Sequence, residues 1–188
     1  METLDEELAK RVQTGEEEAF ALLMQRFEPK LMRYGTRFLG GQEEHVLRQA
    51  VQDIFISVYQ NIEGFDTRQR FSPWIYRIAH NAFVDILRQR SREPLYGIDF
   101  DQLISHPIHE DTSASEKDKE EIRVLVEKSL ASLTPAQREV LLLYYFEELS
   151  YKEIADVLHV PISTVGVRLA RARASLKRIL PAVSDLPL

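Results

Sequence analysis

Apolar residues in this chain recur at spacings of three and four: Phe20, Leu23, Phe27, Leu31 and Tyr34; Ile75, Ala79, Ala82, Phe83 and Ile86; Val165, Leu169, Ala172, Leu176 and Ile179. That is the period of an α-helix with one buried face. No valine- or isoleucine-rich stretch alternates between hairpin turns, so no β-sheet is expected. The pattern predicts an all-α protein built as two small helical domains joined by a flexible acidic linker. A length of 188 residues with 44% apolar content gives each domain a core of its own.

Start and stop signals divide the helices. Thr14-Gly15-Glu16-Glu17 reads as a capping box opening a long helix that ends near Gly40-Gly41. A second helix is expected from about Glu43 to Ile62. Ser72-Pro73 supplies an N-cap and a proline at the first helical position for a third, which runs to about Ser91. The acidic residues at the N-terminus read as a solvated face. Residues 1–92 thus form a first domain. Pro94, Gly97, Pro107 and scattered acidic and serine residues interrupt any helical period across 93–115, which reads as a linker. Helical period returns in 116–182 as four helices, two of them opened by the capping boxes Thr134-Pro135-Ala136-Gln137 and Ser150-Tyr151-Lys152-Glu153. Residues 183–188 are a tail.

The absence of cysteine removes disulfides and thiolate metal sites and fits a reducing cytoplasm. No apolar run approaches the ~20 residues of a membrane span, so no membrane insertion is expected. The net charge of −6 argues against nucleic acid until its distribution is read. Residues 1–65 carry −5, 66–92 carry +4, 93–121 carry −7 and 122–188 carry +2. Two basic patches therefore flank an acidic segment.

From Ser150 the spacing is that of a helix-turn-helix: a short helix with Ile154, Ala155 and Leu158, a break at His159-Val160-Pro161, and a second helix after Ser163. On that second helix Thr164, Arg168, Arg171, Ser175 and Arg178 form a stripe beside the apolar one. Arginine there can take phosphates or the acceptor edge of guanine in the major groove. A lone basic helix is more often a solvated face, but the preceding helix and turn favour DNA.

On the helix following Pro73, residues Trp74, Arg77, Asn81 and Arg88 share a stripe about 60° wide, away from the core face. Two readings stay open. Such a stripe suits single-stranded DNA, with bases stacked on the indole, base edges on the amide, and the backbone held by Arg68, Arg70, Arg77, Arg88, Arg90 and Arg92. Alternatively Trp74 packs under a neighbouring helix and Asn81 caps a loop.

These segments resemble the extracytoplasmic-function (ECF) sigma factors of the sigma-70 family. Residues 71–81 (FSPWIYRIAHN) are similar to the promoter-melting segment and 47–55 (LRQAVQDIF) to the polymerase-binding helix; 133–140 (LTPAQREV) and 149–155 (LSYKEIA) resemble the upstream-element reader. The resemblance covers about 14–180. It implies an alternative sigma factor, not an enzyme, whose first domain binds core RNA polymerase through Gln49, Gln52 and Asp53. That domain would open the minus-ten element through Arg68, Arg70, Trp74, Arg77, Asn81 and Arg88. Ser163, Thr164, Arg168, Arg171 and Ser175 of the second would read the minus-thirty-five element. It further implies an anti-sigma factor as partner, a linker threaded through the polymerase cleft, and no cofactor or small-molecule substrate. The chain departs from the family at Arg48 and Gln49, where acids are usual, which shifts weight to Gln52 and Asp53. It also departs at His159 in the turn and at Gly166 and Val167 on the recognition helix.

A stand-alone helix-turn-helix regulator with an N-terminal sensor or dimerisation domain is the alternative. An enzyme has little support, for there is no glycine-rich phosphate loop, no HExxH and no nucleophile motif. His106 and His109 beside Glu110 and Asp111 are the one metal-like cluster, and they flank Pro107 in the linker.

Overall fold

The computed structural model describes residues 3–40, 43–90 and 126–179. The linker over 93–115, the tail, Arg92 and the His106–His109 cluster lie outside the described residues, as do the side chains of Arg90 and Ile179. Among the described residues the regular structure is helical throughout.

The first described helix is α1 (Asp5–Gln13), where the acidic residues had suggested only a solvated face. Its three acids sit in the first turn, where the helix dipole favours them, while Leu8, Ala9 and Val12 are buried against α2. The capping box expected at Thr14 is not formed. Thr14 closes α1, its hydroxyl donating to the Arg11 carbonyl at 2.8 Å, and Glu16 enters the next helix without a side-chain cap. The polar residues at 14–17 thus close one helix before they open the next.

Helix α2 (Glu17–Leu39) buries Leu23, Phe27, Leu31, Tyr34 and Phe38 and ends on Gly40 in the left-handed conformation, as expected. Helix α3 (Glu44–Asn61) buries Leu47, Ala50, Val51, Ile54, Phe55 and Val58. Gly35 is where these helices meet, since a Cβ there would come within 2.4 Å of Leu47 and 2.8 Å of Phe83.

A single 3-10 turn (Ile62–Gly64) leads into a loop fixed by Gln13, whose amide donates to the Ile62 and Phe65 carbonyls at 2.7 and 2.8 Å. Helix α4 (Phe71–Arg90) then starts one residue before the expected N-cap, so Ser72 is helical. Its first amide is held by the Glu6 carboxylate of α1 at 2.8 Å, a cap supplied across 65 residues that no local motif announces.

In the second half, α5 covers 126–131. Helix α6 (Pro135–Leu141) carries the Thr134–Gln137 capping box and continues as a π-turn (Leu142–Phe146). Helix α7 (Tyr151–Leu158) carries the Ser150–Glu153 box. His159 adopts φ 52° at the turn, a conformation histidine tolerates better than most side chains. Helix α8 (Ile162–Ile179) starts just before Ser163 rather than after it. Val140, Leu143, Ile154, Val157, Val165, Leu169 and Ala172 form the core of this half, all fully buried.

The two halves touch. Helix α4 packs on α7 and α2 on α6. Arg138 lies between them, 6% exposed. Its guanidinium donates to the carbonyls of Leu130, Ala131 and Leu133 at 2.8–3.1 Å, and to those of Arg37 and Phe38 at 3.2 and 3.4 Å. It thereby satisfies carbonyl oxygens at the ends of two helices, one from each half.

Candidate polymerase and nucleic-acid interfaces

The buried residues of α3 occupy one side, and its opposite side carries Gln49, Gln52 and Asp53, all exposed. The Gln49 amide donates to Asp53 Oδ1 at 3.0 Å, holding the carboxylate on the surface. On the same flank Ile56 and Tyr59 are 55% and 53% exposed. Tyr59 leans edge-on against Phe20, their centroids 5.0 Å apart. A face of amides, one acid and free apolar side chains suits a protein partner rather than phosphates. Sequence reading missed Ile56 and Tyr59. The signal was available, because six other apolar residues of α3 already fill its core face.

On α4, Arg77, Asn81 and Arg88 are exposed and Trp74 is half-buried. The indole rests on Phe65 and Phe71, with centroids 5.1 and 5.5 Å away. The indole therefore packs on the loop before α4 and on its own helix rather than under a neighbouring one, and part of the side chain remains accessible. The core face is wider than expected: Tyr76, Val84 and Leu87 are also buried, whereas Ala82 and Ile86 are only partly so. The loop before α4 places Arg68 against Asp66, with Nε 2.8 Å from Oδ1 and Nη2 2.9 Å from Oδ2. Hydrogen bonds from Arg68 hold the Asp66 carboxyl at a pKa of about 2. Arg70 reaches Glu153 of α7 at 3.0 Å, and Arg88 pairs with Asp85 one turn away.

On α8, Ser163 and Arg171 are exposed and Thr164, Arg168 and Ser175 are partly so, while Val165, Leu169 and Ala172 are buried. Arg178 donates to Ser175 Oγ at 3.2 Å. Arg173, although basic and on the same helix, donates to the Tyr145 hydroxyl at 2.9 Å and lies by the Tyr144 ring, so it packs the domain. Val167, 49% exposed, lies about 60° around the helix from Thr164 and borders the candidate reading face; an apolar side chain there can meet thymine methyl groups. At Gly166 a Cβ would meet only the Tyr151 ring, at 3.8 Å.

Together these make a two-part helical protein: a helix with an exposed face of amides, an acid and apolar side chains, a helix with an aromatic and basic stripe, and a helix-turn-helix. The family described as Sigma-70 region 2 matches residues 23–93, and Sigma-70, region 4 matches residues 123–176. The chain is 31% identical to the ECF RNA polymerase sigma factor SigW of Bacillus subtilis (strain 168), over 96% of this chain and 98% of that one. It is 30% identical to the ECF RNA polymerase sigma-E factor of Escherichia coli (strain K12), over 92% of each. Among solved structures, that of CnrH in complex with the cytosolic domain of CnrY superposes with a TM-score of 0.68 at 27% identity, covering 96% of this chain and 99% of that one. The chain belongs to the ECF RNA polymerase sigma factors. It is an alternative sigma factor that directs transcription initiation.

Proposed function

We propose a division of labour along the chain. Residues 1–92 bind core RNA polymerase and recognise and melt the minus-ten element; 116–182 read the minus-thirty-five element; 93–115 are the linker between them and 183–188 a tail. Polymerase docks on the outer face of α3 through Gln49, Gln52 and Asp53, extended by Ile56 and Tyr59. Trp74 and Asn81 receive unstacked bases, with Arg68, Arg70, Arg77 and Arg88 along the strand. Ser163, Thr164, Arg168, Arg171 and Ser175 face the upstream duplex. The protein works in the cytoplasm as an initiation factor, without a cofactor, a small-molecule substrate or catalysis of its own, and an anti-sigma factor restrains it. Among the described residues no helix is long and apolar enough to cross a membrane.

The observation that carries this reading is the presence, in one chain, of an exposed amide, acid and apolar face on α3 together with two basic helix faces on α4 and α8. A stand-alone regulator requires the last but has no need of the first. Charge reversal by Asp53→Lys tests it by co-migration with core polymerase. Affinity should fall by roughly tenfold or more, as for a desolvated interface charge, with thermal stability unchanged because Asp53 is exposed. Wild-type protein that ignores core polymerase would overturn the reading.

A further inference from the structure

Helix α8 presents more than arginine to its open side. Val165, Leu169 and Ala172, all at 0% exposure, set the direction of the core. Counting about 100° per residue, the side diametrically opposite falls among Ser163, Val167, Ala170 and Ala174. All four are exposed, and Val167 is the one large apolar side chain among them. Arg171 and Thr164 flank it. Gly166, its neighbour in sequence, turns away from that side, since a Cβ on it would approach the Tyr151 ring of α7 at 3.8 Å. Ile162, the other exposed large apolar residue of α8, lies about 140° around the helix from Val167.

A single exposed valine needs no explanation on an ordinary surface. On this helix its position gives it one. Base edges in the major groove present hydrogen-bond donors and acceptors, which valine cannot match, and one apolar group, the C5-methyl of thymine. In a helix-turn-helix the first turns of the second helix are the part that reaches those edges, and Val167 lies in the second turn of α8 (Ile162–Ile179). Set against a donor or acceptor, its isopropyl group would displace water without replacing the hydrogen bond, which is unfavourable. Set against a thymine methyl, it removes apolar surface of both groups from water. The same side chain thus selects for thymine and against the other bases at the position it covers. Ala170, short and exposed almost one turn on, leaves room for the helix to come that close.

We propose that Val167 is a specificity-determining residue of this sigma factor: its side chain packs on the C5-methyl of a thymine in the upstream promoter element, beside the contact made by Arg171. The proposal rests on the reading of α8 as the helix that faces that element, and adds to it the identity of the base at one position.

The holoenzyme, core RNA polymerase with the full chain, can select promoter duplexes from a library randomised across the upstream element. In a selected duplex each thymine of that element is then replaced in turn by deoxyuridine, which pairs as thymine does and lacks only the methyl. One thymine should stand out, its replacement lowering holoenzyme affinity by about fourfold, the scale of one methyl group returned to water. Val167→Ala should bind the thymine and deoxyuridine duplexes nearly equally, and selection with this variant should lose the preference for thymine there. Val167 is exposed, so the variant should melt as the wild type does. Arg171→Ala should weaken both duplexes and keep the ratio between them. An upstream element without thymine, deoxyuridine replacements that all leave wild-type affinity unchanged, or a Val167→Ala variant that keeps the wild-type ratio would overturn the proposal. In each of those cases, weaker binding by Arg171→Ala would show that α8 still reads the element through other groups. If Arg171→Ala also binds as the wild type does, the reading of α8 falls with it.

Discussion

Gly35 and Gly166 both lie inside helices, where glycine is about 1 kcal/mol less favourable than alanine, and their surroundings separate them. At Gly166 an added methyl meets only the Tyr151 ring at ordinary contact distance. Gly166→Ala should therefore stabilise the chain by up to ~1 kcal/mol, seen as a rise of a few degrees in melting temperature. At Gly35 the same methyl would sit 2.4 Å from Leu47 and 2.8 Å from Phe83. Gly35→Ala should cost about 1–3 kcal/mol through overpacking, a fall in melting temperature that the same experiment detects. Equal shifts of one sign at both positions would contradict this account of the helix packing. In sequence the two glycines look alike, because the contact that distinguishes them is made by residues 12 and 48 positions from Gly35.

Helices whose ends are set locally were legible, and those set by distant groups were not. The Thr134 and Ser150 capping boxes form as read because acceptor and donor lie within four residues of each other. The start of α4 was misjudged by one residue because its first amide is held by Glu6 from another helix. Helix α1 escaped notice because its nine residues show only Leu8, Ala9 and Val12 as a buried face, too short a period to stand out. Within the candidate site, the exposed stripes of α4 and α8 were legible from helical phase. That Arg70 and His80 face the second half was not, since phase within one helix says nothing of which helix covers it. The stripe on α4 carries its own prediction. Trp74→Ala and Asn81→Ala should slow open-complex formation by roughly five- to a hundred-and-fifty-fold, the scale of about 1–3 kcal/mol for one base stack or base contact. Permanganate reactivity of promoter thymines reads it. Wild-type opening by both folded variants would mean that the indole only packs.

At the scale of the whole molecule, closing the two halves brings ionisable groups together, and proton uptake follows. Burial lowers the pKa of His80, but the charge and hydrogen bond of Glu139 outweigh it, and the net displacement is upward from 6.5 against the opposition of Arg168 and Arg88. Burial also raises Glu147, opposed by Tyr76, Lys30, Arg33 and Arg37. Parting the halves removes Glu139 from His80, so the open form has the lower histidine pKa. The stabilisation of the closed form is then complete below about 6.5 and is lost as pH rises through the closed-state value. The Arg70–Glu153 pair does not offset this, because Glu153 is held below its ordinary 4.5 by Ser150 and Arg70 despite its burial. Tyr34, raised by burial and by Glu139, titrates above the same window. The melting temperature of the free chain should therefore fall as pH rises above about 6.5, and His80→Gln should flatten the profile. A melting temperature that rises with pH there would show the linkage to have the opposite sign.

The central claim is that this chain gives core RNA polymerase a choice of promoter. Its most direct test is transcription from a pool of genomic fragments by core polymerase, with and without the full-length protein, followed by mapping of the transcript starts. We expect a small set of new starts that share one upstream and one downstream element, dependent on the added chain. Arg171→Ala should deplete the set by weakening the upstream contact. A start pattern unchanged by the protein, at concentrations that saturate core polymerase, would contradict the account.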